Sequence, residues 1–354
     1  MSVETATMST IEKGATVLVT GANGLYVSQS PPSLTPLADL APSIANHVAD
    51  QLLQRGYKVR GTVRSDAKAE GLHKVFAHYG PNAFTAVKVP DMAADGAFDD
   101  AVKGASGIVH VASVVNYSPI WDEIVTPTVQ GATNLLSAAH KEPGVKSLVY
   151  TSSSLATWLP APDTEIVITQ DSWNDAAVQL ARGPESSANA AYAASKVEAE
   201  RAVWRFVEEK TPRFQVATVV PDMNFGRSLQ ADGPASSSAS WAAGLYRGDT
   251  WVLSLPPFWF VDVIDDARLH VAALLDPSCA GQRIFAAAEP FNWNDLLRIF
   301  RKLRPGKAFM ADVEMGRNLS RVPNQEAEAL LRKWFGKGWT GLEESVGETI
   351  AGLE

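Results

Sequence analysis

Tyr192 and Lys196 stand four residues apart in the run YAASK. On a helix that spacing puts both side chains on one face. The pairing has a chemical use. A free tyrosine has a pKa of about 10 and is a poor proton donor at neutral pH. A neighbouring ammonium stabilises the phenolate and brings that value down. A third group is needed to bind the oxygen that takes the proton. The run Thr151-Ser152-Ser153-Ser154 supplies hydroxyls at the end of an apolar, strand-like segment. Tyr-x-x-x-Lys by itself is a weak signal, because a surface tyrosine and lysine on any long helix give the same string.

The stretch that raises its weight lies near the start. Ala15–Thr20 is apolar and β-branched, as suits a buried parallel strand. Gly21 and Gly24 follow, giving a tight turn and a surface that a phosphate can approach. The helix that should come next, with its free N–H groups toward the phosphate, begins only at Ile44. Between them stand eighteen residues, Tyr26–Ser43, containing Pro31, Pro32, Pro36 and Pro42, so no helix runs through them. With these set aside, Gly21, Gly24 and Ala45 form a G-x-x-G-x-x-A turn entering an amphipathic helix. The distance from Gly24 to Arg64 then becomes 22 positions, close to the roughly 20 expected between such a turn and the residue that reads the adenosine ribose. Tyr26–Ser43 is therefore read as an insertion in the turn. It is either a natural loop or translated non-coding sequence, and the transcript distinguishes the two.

At the end of the second strand an acidic residue would accept the 2′-hydroxyl of NAD. This chain has Arg64, with Lys68 one turn on, both suited to a 2′-phosphate. The expected cofactor is NADP(H), with Gly21, Gly24, Leu25 and Ala45 at the pyrophosphate and Asp91 and Met92 bordering the adenine.

Composition is that of an ordinary globular protein. The chain has 354 residues, 46% of them apolar, and a net charge of −8 without a basic run, which argues against nucleic acid as a partner. The single cysteine, Cys279, excludes a disulfide framework. The opening MSVETATMSTIEKG has no apolar core of signal-peptide length and no run is long enough to span a membrane. The reading is a cytoplasmic protein without membrane association, frayed over residues 1–13. His47, His73, His78, His110, His140 and His270 form no ligand-like cluster, so no metal is expected.

The elements that must hold these residues alternate. Strands are expected at Gly56–Val63, Phe84–Val89, Gly107–Ala112, Val145–Thr151 and Phe214–Val220, and helices at Ile44–Leu53, Phe98–Val102, Thr128–His140 and Ala191–Glu209. This rhythm implies an α/β fold, a Rossmann-type, doubly wound parallel sheet, over residues 14–222. Beyond, Gly, Pro, Ser and Trp become common, the Ser-rich stretch Ala235–Ser240 reads as a loop, and Trp293–Leu303 and Gln325–Phe335 read as helices. Residues 223–354 are expected to form a smaller, mostly helical substrate lobe, with 261–288 returning to the core. Trp121, Trp158, Trp173 and Trp259 could line an apolar or aromatic pocket.

The stretches VLVTGANG, GTVRS, GIVHVAS, VYTSSS, YAASK, VVPDMNFG and WFVDVIDDARLHVAAL resemble the extended short-chain dehydrogenases/reductases, in the branch of dihydroflavonol reductases, cinnamoyl-CoA reductases and fungal aldehyde/ketone reductases. They run from Ala15 to Leu275. The resemblance implies Ser153 as the catalytic serine (Ser152 and Ser154 being alternates), Tyr192 as general acid and Lys196 as its partner. It further implies Val111, Ala112 and Ser113 along the cofactor, and Pro221 and Asn224 at the nicotinamide and substrate. The insertion departs from the pattern, and so does Ile264, where such chains often carry arginine. The implied activity is NADPH-dependent reduction of an aldehyde or ketone. A non-catalytic NADP(H)-binding sensor, which would usually lose Tyr-x-x-x-Lys, and an NAD-dependent epimerase or dehydratase, which Arg64 disfavours, are the alternatives.

Overall fold

Short β-branched runs with no polar interruption can be buried on both faces, and here they line up side by side. The computed structural model describes residues 10–22, 44–116, 118–229 and 237–353. Among these the strands are β1 (Thr16–Thr20), β2 (Lys58–Val63), β3 (Phe84–Lys88), β4 (Gly107–His110), β5 (Ser147–Thr151), β6 (Gln215–Pro221), β7 (Met223–Phe225), β8 (Phe258–Asp262), β9 (Arg283–Ala286) and β10 (Glu289–Phe291). The helices are α1 (Ile44–Gln54), α2 (Asp66–Phe76), α3 (Trp121–Lys141), α4 (Asp175–Arg182), α5 (Ala188–Lys210), α6 (Ser237–Arg247), α7 (Val263–Leu275), α8 (Trp293–Leu303), α9 (Gln325–Phe335) and α10 (Leu342–Thr349).

Seven strands form the main sheet in the order β3-β2-β1-β4-β5-β6-β9, every pair parallel. The two-residue period of a strand feeds two cores. Val17 and Val19 of β1 face the layer that holds α1 and α7, while Leu18 faces the layer that holds α3 and α5. This is the doubly wound parallel sheet expected from the sequence. A second sheet, β10-β8-β7, was not expected. Its aromatic face, Phe225, Phe260 and Phe291, packs with Trp293 and Phe300 of α8 as the core of the C-terminal lobe. The last helix is tied to it by polar contacts. Ser345 donates to Asp262 at 2.8 Å, and the Gly226 N–H donates to Thr349 at 2.8 Å.

Three local expectations fail for identifiable reasons. The helix expected from Thr128 begins at Trp121 and runs through Pro127. The Glu123 carbonyl, which a proline nitrogen cannot serve, is taken by Asn116 Nδ2 at 3.1 Å. Phe98–Val102 makes turns rather than a helix, bracketed by Gly96 and Gly104 at positive φ. The Ser-rich stretch is helical from Ser237. Gly24, Leu25 and Tyr26–Ser43 lie outside the described residues. No described helix is long and apolar enough to cross a membrane.

Candidate active site

Helix α5 is capped by Ser187, whose hydroxyl accepts the Ala190 N–H, and presents a buried face rich in alanine. Small side chains let it lie close against α3 and the sheet. Tyr192 and Lys196 stand on it as the sequence predicts. Lys196 is buried, and its ammonium donates to the Thr151 carbonyl at the end of β5, at 3.3 Å. It sits 5.8 Å from the centre of the Tyr192 ring. Burial lowers the Lys196 pKa to about 8, against which the nearby Glu200 carboxylate pulls upward.

The three serines after β5 are sorted by their neighbours. Ser152 donates to Glu200 at 2.6 Å and is buried. Ser154 is hydrogen-bonded to the Asp222 carboxylate. Ser153 accepts the Leu155 N–H at 3.3 Å, and its own proton has no acceptor among the described residues. It caps the one-turn helix Ser154–Ala156, which packs against α5. Of the three candidates, Ser153 alone has a hydroxyl proton left without an acceptor among the described residues.

The ends of β1 and β4 make the second part. The Thr20 hydroxyl accepts the N–H groups of Val111 and Ala112, both at 3.1 Å, and meets His110 Nδ1 at 2.7 Å. With both lone pairs engaged, its proton goes to Nδ1, so His110 carries its hydrogen on Nε2. Burial, helped by Lys196, lowers the His110 pKa to about 3, so the ring is neutral. Gly21 lies at φ +73°, and a Cβ on it would come within 2.9 Å of the Ala112 backbone. Its N–H donates to Thr62 at the end of β2, at 3.0 Å. The Ser113 hydroxyl oxygen is buried without a hydrogen-bond partner among the described residues, as is Oδ1 of Asn46, the residue after buried Ala45 on α1.

Other expected residues are placed less centrally. Arg64 follows β2 directly and is half-buried, and Lys68 is in the first turn of α2. Asp91 is exposed and accepts the Ala93 N–H at 2.9 Å. The Met92 side chain packs on Gly131 of α3. Pro221 ends β6. Asn224 is buried in β7, with its main-chain N–H and carbonyl both bound to the Ser238 hydroxyl at 2.9 Å. Trp158 and Trp259 are buried together, whereas Trp121 stacks on Arg182 and Trp173 on Arg283. No group of three potential metal ligands occurs among the described residues. Sequence reasoning missed Glu200 and Asp222. The four-residue spacing from Tyr192 to Lys196 simply continues to Glu200, which was the available signal.

Residues 43–286 match the model of the NAD dependent epimerase/dehydratase family. The chain belongs to this family. It is 36% identical over 348 residues to aldehyde reductase 2 of Sporidiobolus salmonicolor, covering 96% of each chain. It is 37% identical over 351 residues to the ketoreductase adrE of Penicillium rubens, covering 96% of this chain and 97% of that one. Among solved structures, yeast methylglyoxal/isovaleraldehyde reductase Gre2 complexed with NADPH superposes with a TM-score of 0.77 at 26% identity, over 95% of this chain and 97% of that one. The Candida albicans Gre2–NADPH complex gives 0.79 at 26% identity, over 95% and 98%. The expected membership of the extended short-chain dehydrogenases/reductases is borne out.

Proposed function

We propose that this protein is an NADPH-dependent reductase of aldehydes or ketones, with Ser153, Tyr192 and Lys196 as its catalytic residues. The observation that carries the reading is the buried Lys196 ammonium beside Tyr192, next to a strand end where only Ser153 has an uncommitted hydroxyl proton. The likeness to aldehyde reductase 2 and to the Gre2 reductases supports it.

The residues present fit a dinucleotide. Gly21 and Ala112 offer close-packed backbone, the buried Ser113 hydroxyl and Asn46 amide oxygen have polar capacity left over, and Arg64 and Lys68 suit a 2′-phosphate. When bound, NADPH supplies the hydride. Ser153 donates a hydrogen bond to the carbonyl oxygen of the substrate. Tyr192 gives the proton to that oxygen as negative charge develops there, and Lys196 stabilises the phenolate left behind.

A panel of aldehydes and ketones, followed by loss of NADPH absorbance, tests the reading. Turnover with NADPH over NADH is expected, with Arg64→Ala narrowing that preference and Tyr192→Phe lowering kcat by about 10²–10⁴-fold. NADPH binding without turnover of any carbonyl would overturn it in favour of a sensor. Interconversion of a sugar nucleotide on retained NAD would point to an epimerase.

A further inference from the structure

We infer that Glu200 is a positioning residue of this site: held by Arg283, it supplies the counter-charge to the buried Lys196 ammonium and pins the peptide that carries Ser153. As an account of catalysis this rests on the reductase reading above; as an account of Lys196 it does not.

Glu200 is fully buried, one helical turn beyond Lys196 on α5. Both carboxylate oxygens are taken. Oε1 accepts from Arg283 Nε at 2.8 Å, Thr218 at 2.8 Å and Trp204 at 3.4 Å. Oε2 accepts from Ser152 at 2.6 Å and Arg283 Nη2 at 3.0 Å. A carboxylate in such a place is strongly held, because losing one partner leaves the rest of the charge uncompensated. The Ser152 bond fixes the residue directly before Ser153. Arg283 Nη1 donates to the Gln170 and Ser172 carbonyls, both at 2.8 Å, and the guanidinium lies over the Trp173 ring at 4.2 Å. The clamp therefore joins α5, β5, β6, β9 and the 170–173 loop at one point.

The groups around Lys196 leave Glu200 as its source of negative charge. His110 of β4 is neutral, Tyr150 of β5 is held protonated by burial, and Tyr192 shares the helix. Beyond Glu200 stands Arg283, which is positive. Removing the Glu200 charge takes away the charge that opposes burial at Lys196 and leaves the ammonium only the Thr151 carbonyl, so it loses its proton at lower pH.

The experiment is Glu200→Gln, read in two ways. In steady state, kcat is expected to fall about ten- to a hundredfold, with the alkaline limb of its pH profile moved down by about one pH unit or more. In protein labelled with ¹³C-lysine, the Lys196 Cε resonance, assigned by its loss in Lys196→Arg, is expected to titrate at lower pH in Glu200→Gln than in the parent. The second reading needs no turnover, so it decides the inference even where the carbonyl panel fails. If Glu200→Gln does not fold, Glu200→Gln with Arg283→Met removes the paired charges together. A downward shift of Lys196 is still expected because Glu200 is the nearer charge on its own helix, but a smaller one, since a positive charge is lost as well. An unchanged Lys196 titration midpoint in a folded variant overturns the inference.

Discussion

Ser152, Ser153 and Ser154 are chemically identical, and three different fates follow from what reaches them. Glu200 claims the first and Asp222 the third. The sequence presents the cluster but not the choice, since both claimants arrive from distant positions and only the fold brings them in. Tyr192 and Lys196, by contrast, were legible because four residues on a helix is a local distance. Asp222 has a further effect of its own. Burial pushes its pKa up to about 7, although the N–H groups of Trp259 and Met223 and the Ser154 hydroxyl oppose the shift. Between the ordinary carboxylate range and that value the native state keeps a proton that the unfolded chain has released. Stability contributed by Asp222 is therefore complete at acid pH and is lost as the pH rises toward 7. Asp222→Asn is expected to raise Tm by a few degrees at pH 8 and to change it less at pH 5, as calorimetry at the two values would show. An equal shift at both would mean that the carboxylate's charge is not what costs stability.

At the scale of elements, one hydroxyl ties two strand ends together. Thr20 joins the end of β1 to the end of β4 through His110, Val111 and Ala112. Thr20→Val keeps the shape and removes all three bonds, leaving two N–H groups and a ring nitrogen unsatisfied. The variant is expected to lose about 2–4 kcal/mol of stability by denaturant unfolding and to bind NADPH more weakly by titration calorimetry. Six strands of the main sheet were readable because apolar and β-branched residues fill most of their positions; β9, four residues long and opening on Arg283, was expected only as part of a return to the core. The second sheet was not, because Met223–Phe225 and Glu289–Phe291 are three residues long and too short to show a period. Helix α3 was misread at its start because the sequence shows Pro127 but not the Asn116 amide that compensates for it.

Across the whole molecule, the open matter is the interrupted turn. The family match starts at residue 43, where the eighteen residues end and α1 begins. A chain lacking Tyr26–Ser43 is expected to bind NADPH more tightly than the parent, measured by titration calorimetry. Equal affinity would show that the residues leave the phosphate turn intact. The order of the main sheet has another consequence. Its outer strand on the β6 side is β9, and α7 lies across β4, β5 and β6 from a position later in the chain than all three. During synthesis on the ribosome, Glu200 emerges long before the cation it must close upon. Until Arg283 has left the exit tunnel, the nascent chain holds a carboxylate without its cation and an uncovered strand edge, open to pairing with other chains. A message that stops short of codon 283 leaves out both the cation and the outer strand, so its product is expected to aggregate rather than to work at part strength.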